Sequence, residues 1–199
     1  AENFDINLSY NFVRNFNFNL GYKRNFFSWR DNGGSYVYTD ISFRDSSGNF
    51  PDGKAVAYQQ TMKIPYIGIE YHQPFLQEKL LVSLAGAYSN QVKANDLDNH
   101  YLKGYSVTRN FNNGEFYSLG AKVDYMILNN MSLGLAYEYN ELKEVKGGAT
   151  YSGTINGYYR DSAGLSNKYE KVSLSLKYFF GTDSNFLNFN SNQEDDYED

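Results

Sequence analysis

Apolar and polar residues alternate with a period of two along this chain, and the pattern recurs in segment after segment. Phe4, Ile6, Leu8, Tyr10 and Phe12 alternate with Asp5, Asn7, Ser9 and Asn11. Leu119, Ala121, Val123, Tyr125 and Ile127 alternate with Ser118, Gly120, Lys122 and Asp124. Met131, Leu133, Leu135, Tyr137 and Tyr139 alternate with Ser132, Gly134, Ala136, Glu138 and Asn140. Successive side chains of a strand point to opposite faces, so each segment has one apolar face and one polar or small face. No run of about 18 apolar residues is present, which excludes helical membrane spans.

Two all-β architectures produce this alternation. A soluble sandwich turns its apolar faces inward. An antiparallel transmembrane β-barrel turns them to lipid and its polar faces to the lumen. Three features favour the barrel. The chain has 20 Tyr and 15 Phe in 199 residues, crowded on the apolar stripes near strand ends like interfacial girdles. The polar faces carry Asp5, Glu70, Lys122, Asp124, Glu138 and Lys177, too many charges for a chance polar face. Connections also alternate in length. Short links are expected near 13–15, 73–78 and 128–130, and long polar links near 24–54, 89–115 and 141–167.

About seven strands follow, roughly 3–12, 16–29, 55–72, 79–94, 101–127, 131–145 and 168–180. In a bacterial barrel with short inner turns, the first would run from outside inward. Single-chain barrels have an even strand number with both termini inside, and open edges are not tolerated in lipid. An odd number of strands is then expected upstream of Ala1, or the count is off by one. Residues 1–181 are assigned to the barrel. Residues 182–199 end in Gln193-Glu194-Asp195-Asp196-Tyr197-Glu198-Asp199 and are expected to be a disordered acidic tail. A net charge of −5 argues against nucleic acid as a partner. Zero cysteines exclude disulfides, thiolate zinc sites and thiol nucleophiles.

Two histidines are available for proton chemistry. His72 falls on a lumen-facing position and reads as a hydrogen-bonded barrel residue. His100 lies in Asn95-Asp96-Leu97-Asp98-Asn99-His100-Tyr101, at the top of the fourth strand. In extended backbone Asp96, Asp98 and His100 share one face. An Asp beside a His fixes its tautomer and raises its basicity, which suits it to take a proton from water. The spacing also occurs in ordinary polar loops, and one His with two Asp is a poor zinc set, so no metal site is assigned.

Several stretches resemble the omptins, outer-membrane proteases of Gram-negative bacteria. They are Gly33-Gly34-Ser35-Tyr36-Val37-Tyr38, Phe43-Arg44-Asp45 with Gly48-Asn49-Phe50-Pro51-Asp52-Gly53, and Lys63-Ile64-Pro65-Tyr66-Ile67-Gly68. Asp96-Leu97-Asp98-Asn99-His100-Tyr101 and Ala163-Gly164-Leu165-Ser166-Asn167 complete the set. The resemblance implies a ten-stranded barrel with a protease groove above the membrane. It implies that Asp98 and His100 form a dyad activating water, and that Asp96 receives a basic side chain next to the scissile bond. The facing Asp pair of the family precedes its fourth strand, where this chain begins, so no residue is assigned to it and the chain alone is expected to be inactive.

The resemblance also implies lipopolysaccharide as an activity requirement, with no other cofactor. Tyr22 matches the family's lipid-binding wall, whereas the expected Glu and Arg read Arg24 and Phe26, and a further Arg reads Thr61. Lys23 and Arg24 leave positive charge beside Tyr22. The expected partners are peptides or proteins with basic residues and outer-membrane lipid. The expected state is a monomer with its active loops facing outside. The alternative is a non-catalytic barrel, an adhesin or a structural porin-like protein, that kept the scaffold without the full site.

Overall fold

The computed structural model describes residues 1–38, 46–50 and 52–180. The Phe43-Arg44-Asp45 stretch, Pro51 and the 182–199 tail lie outside the described residues. Seven strands form one antiparallel sheet in the order β1-β2-β5-β6-β7-β8-β9. They are β1 (Glu2–Val13), β2 (Phe16–Asn32), β5 (Lys54–Phe75), β6 (Leu80–His100), β7 (Tyr105–Leu128), β8 (Met131–Gly153) and β9 (Gly157–Tyr178). Two short strands, β3 (Ser35–Tyr38) and β4 (Ser46–Asn49), pair as a separate hairpin above β2 and β5. Among the described residues β1 and β9 each pair on one side only, so the sheet is open.

The strand count matches the alternation, but β6, β8 and β9 are much longer than it indicates. The expected long link at 89–115 is strand almost throughout, broken by one 3-10 turn at Tyr101–Lys103 that ends on Gly104 at φ 69°. That left-handed backbone is where glycine costs least. The expected link at 141–167 is likewise the upper part of β8 and β9, joined through 154–156. The reason is chemical. In the upper half both faces of the sheet carry polar residues, so the hydropathy signal fades while the backbone ladder continues.

The sheet is strongly curled. Flat, β2 and β8 would lie roughly 19 Å apart across four strand spacings. Yet Lys23 Nζ on β2 lies 3.6 Å from Glu138 on β8, and 3.5 Å from Asp5 on β1. Lower on the same inner face, Asp124 is 1% exposed and receives Lys122 at 2.8 Å and Lys177 at 2.7 Å. Gly134 makes that cluster possible, since a Cβ there would strike the Asp124 carboxylate. His72 hydrogen-bonds Ser83 at 2.9 Å and lies 3.5 Å from Glu70. It is a hydrogen-bonded lumen residue, as its position indicates.

Above these charges the inner face turns apolar. Met62, Ile64, Val92, Ala94, Phe111, Phe116, Leu142 and Leu165 form one buried cluster. Register shifts occur near this level in three of the pairs, β5–β6, β6–β7 and β8–β9, between Lys63/Ile67, Ser89/Val92 and Leu142/Val145. Bulges sharpen local twist and bend the strands, and here they mark where the lumen closes over.

The outer face of the lower half is apolar and exposed, with Leu8 at 75%, Leu174 at 74% and Leu135 at 56%. No helix of the described residues is long and apolar enough to cross a membrane. A water-soluble sheet would bury such a face, whereas a barrel wall presents it to lipid. Leu133 sits in this belt, paired with Tyr125 and Leu176. Leu133→Arg is expected to destabilise the folded protein in lipid vesicles by about 2–4 kcal/mol. Unchanged urea unfolding in vesicles would remove Leu133 from the lipid-facing wall.

Candidate active site

β6 and β7 continue above the apolar layer as a tight hairpin, and its pairing decides which side chains meet. Three matched pairs point inward: His100 with Tyr105, Asp98 with Val107, and Asp96 with Arg109. Asp96 follows Ala94 on the inner face and is 3% exposed, the first charge above the apolar cluster. Asp98 and His100 climb toward the rim, with side chains 17% and 26% exposed.

The contacts form a chain. Asp98 Oδ2 lies 3.3 Å from His100 Nε2. Arg109 donates from Nη1 to Asp96 Oδ1 at 3.1 Å and from Nη2 to Asp98 Oδ2 at 3.3 Å. Tyr58 on β5 donates its hydroxyl to Asp96 Oδ2 at 3.3 Å and accepts a hydrogen bond from Gln60 at 2.8 Å. The His100 ring stacks on Tyr105 at 4.7 Å and 27°. This contact restrains the plane of the imidazole.

Burial sets the electrostatics. Loss of solvent pushes the Asp96 carboxyl up, although Arg109 and Tyr58 both pull it down. Burial opposes the Arg109 charge, but the pull of Asp96 and Asp98 outweighs it and the guanidinium is held more firmly protonated. Burial, and then the Asp96 charge, push the Tyr58 phenol up to about 12.

Aromatic rings flank this centre on both sides. Trp29 lies 6.2 Å from Tyr58 at 29°, and Phe27 lies 6.5 Å from it. On the other side Tyr105, Tyr151 and Tyr159 form a row across β7, β8 and β9. A cavity of about 630 Å³ opens between them, lined by Tyr58, Asp96, Arg109, Tyr151, Tyr159 and Leu165 among others. Its size and its aromatic walls suit an extended peptide side chain.

The chain can now be set beside known proteins. The family model of the Omptin family matches residues 1–180. The chain belongs to the omptin family. It is 29% identical over 191 residues to "Protease 7" of Escherichia coli O157:H7, covering 90% of this chain and 60% of that protein. It is 28% identical to the "Plasminogen activator" of Yersinia pestis, covering 90% and 59%. The crystal structure of outer membrane protease OmpT from Escherichia coli superposes with a TM-score of 0.70 at 26% identity. That match covers 89% of this chain and 62% of the OmpT chain. The chain therefore spans about 60% of the length of its curated relatives, and its open antiparallel sheet has the fold of part of an omptin β-barrel.

The structure brings Asp96, Asp98 and His100 together on one face, as their spacing indicates. It separates the three residues expected to meet lipid. Tyr22 and Arg24 share the outer face of β2, where Arg24 lies 5.9 Å from the Phe26 ring. Lys23 points to the lumen between Asp5 and Glu138 and is withdrawn from that surface. Sequence reading missed Tyr58, Tyr105 and Arg109. Each is visible only once the β5–β6 and β6–β7 registers are known, and a turn placed at 101–104 would have put Arg109 opposite Asp96.

The Tyr58 geometry has a spectroscopic consequence. Comparing the alkaline tyrosinate absorbance of the protein with that of Tyr58→Phe isolates one phenol. Its ionisation is expected near pH 12 rather than the ordinary 10.0. A midpoint near the ordinary value would mean that the phenol is not held beside an ionised Asp96.

Proposed function

We propose that the chain belongs to an outer-membrane endopeptidase that hydrolyses peptide bonds next to basic residues, with its cleft and long upper strands on the outside of the cell. The observation that carries this reading is the 3.3 Å contact between Asp98 and His100 at the rim of an aromatic cleft, in a chain of the omptin family. The protease names of the relatives support the same class of reaction.

The chemistry follows from the contact. Asp98 accepts the Nε2–H of His100, which leaves Nδ1 with the lone pair. That nitrogen takes a proton from a water molecule, and the hydroxide oxygen bonds to the scissile carbonyl carbon. The proton then passes to the departing amine as the C–N bond breaks. No bond forms between enzyme and substrate. Asp96, buried and acidic, suits a guanidinium or ammonium on the substrate. The developing oxyanion needs donors from a facing wall, and loss of such a term costs about 10²–10³-fold. Residues 1–199 by themselves are accordingly expected to be inactive. On the outer face, Arg24 beside Tyr22 is the proposed contact for a lipid A phosphate.

His100→Ala and Asp98→Ala in the full-length protein are each expected to lower kcat by about 10²-fold or more, as for loss of a general base. The measurement is cleavage of a fluorogenic peptide containing Arg-Arg in vesicles with lipopolysaccharide. A wild-type rate for His100→Ala would overturn the assigned base.

A further inference from the structure

The proposed recognition carboxylate is already occupied. Arg109 comes from the strand next to Asp96, at the matched position of the ladder, and its guanidinium bridges Asp96 and Asp98. It makes the contacts that an arginine of a substrate would make, from inside the protein. We propose that Arg109 is a built-in competitor for the Asp96 recess, a specificity-determining residue that a substrate's basic side chain must displace. This rests on the functional reading above and adds the regulation of that same site.

Three observations support displacement rather than a fixed structural bridge. The Arg109 side chain is 25% exposed while the Asp96 side chain is 4% exposed, so the cation sits on the solvent side of the buried acid. Arg109 and Asp96 both line the cavity of about 630 Å³, which gives the guanidinium a place to go without unpacking the sheet. Tyr58 holds Asp96 from the other side, so the carboxylate stays oriented when Arg109 leaves.

The consequence is quantitative. Occupation by Arg109 reduces apparent affinity for a basic side chain by the fraction of time the recess is free. If it is free one-tenth of the time, binding weakens about tenfold. The arrangement also couples recognition to catalysis. While Arg109 bonds Asp98 Oδ2, that oxygen is shared with His100. Displacement releases it to the imidazole alone, so a bound basic residue completes the dyad.

Trp29, the chain's single tryptophan, stacks on Tyr58 and reports on the recess without any need for turnover. The full-length protein in detergent is titrated with an arginine peptide whose scissile bond is reduced, and the part of the tryptophan emission change that Trp29→Phe abolishes is followed. Arg109→Met, which keeps a linear stem and removes the guanidinium and its charge, is expected to bind about tenfold more tightly. Arg109→Lys is expected to stay close to wild type, and Asp96→Asn to lose binding. Equal or weaker binding by a folded Arg109→Met protein, or by Arg109→Gln if Arg109→Met fails to fold, would overturn the competitor. Cleavage is read separately. Tighter arginine binding without hydrolysis would refute the protease reading and leave the competitor standing. Hydrolysis with unimproved binding would do the reverse.

Discussion

A backbone in hydrocarbon has no water to satisfy its N–H and C=O groups, and an unpaired group there costs several kcal/mol. The rest of this structure follows from that constraint. From β5 to β9, strands of 21 to 24 residues run side by side in ladders interrupted only by local register shifts, far longer than the 9–11 or so residues needed to cross a bilayer. Period two then dictates two populations of side chains. Those on the outer face of the lower half must be apolar, and they are. Those on the inner face are released from that demand and carry charge.

Charges inside a curled sheet must in turn find partners. Asp124 is held between Lys122 and Lys177, and Lys23 between Asp5 and Glu138. Two of these four pairs cross strands that are not neighbours: Asp124–Lys177 joins β7 to β9, and Lys23–Glu138 joins β2 to β8. The Lys23–Glu138 pair forms only once the sheet has curled, so it favours the curled state over a flat one. A lone Lys23 in the lumen would have stood against the curl. Its apparent place in a surface basic patch next to Arg24 dissolves for the same reason, because adjacent strand residues cannot share a face.

The lower half was legible in the sequence because lipid imposes a strict hydropathy code on it. Seven strands, their inward charges and the solitary role of His72 could all be read from alternation. The upper half was not, because both of its faces are polar and hydropathy no longer distinguishes strand from loop. Residues 95–100 and 157–167 are strand although their composition resembles loop. The site was legible to the extent that it lies along one strand. Asp96, Asp98 and His100 need only the two-residue repeat of β6. Arg109, Tyr105 and Tyr58 belong to neighbouring strands, and only a register brings them in. The β3–β4 hairpin escaped for a similar reason: four-residue strands of Ser, Tyr, Val, Gly and Asn are too short to give a periodic signal.

The apolar layer between the lumen and the cleft explains why the site is arranged as it is. Phe111, Ile64 and Val92 are almost fully buried, and they separate the lower charges from Asp96. The electrostatics of the cleft are therefore governed by the groups within it. Asp96 rests directly on this layer, and a carboxylate stripped of water on that side needs a cation or a donor. Tyr58 supplies one hydrogen bond and Arg109 the charge. With Asp98 included, two carboxylates face one guanidinium, which leaves one negative charge in the cleft. On the proposed reading, a cationic side chain entering the cleft meets an attractive site whose deepest acid is already paired. Burial gives Asp96 its demand for a cation. The register of one hairpin decides that the resting chain meets that demand from its own sequence.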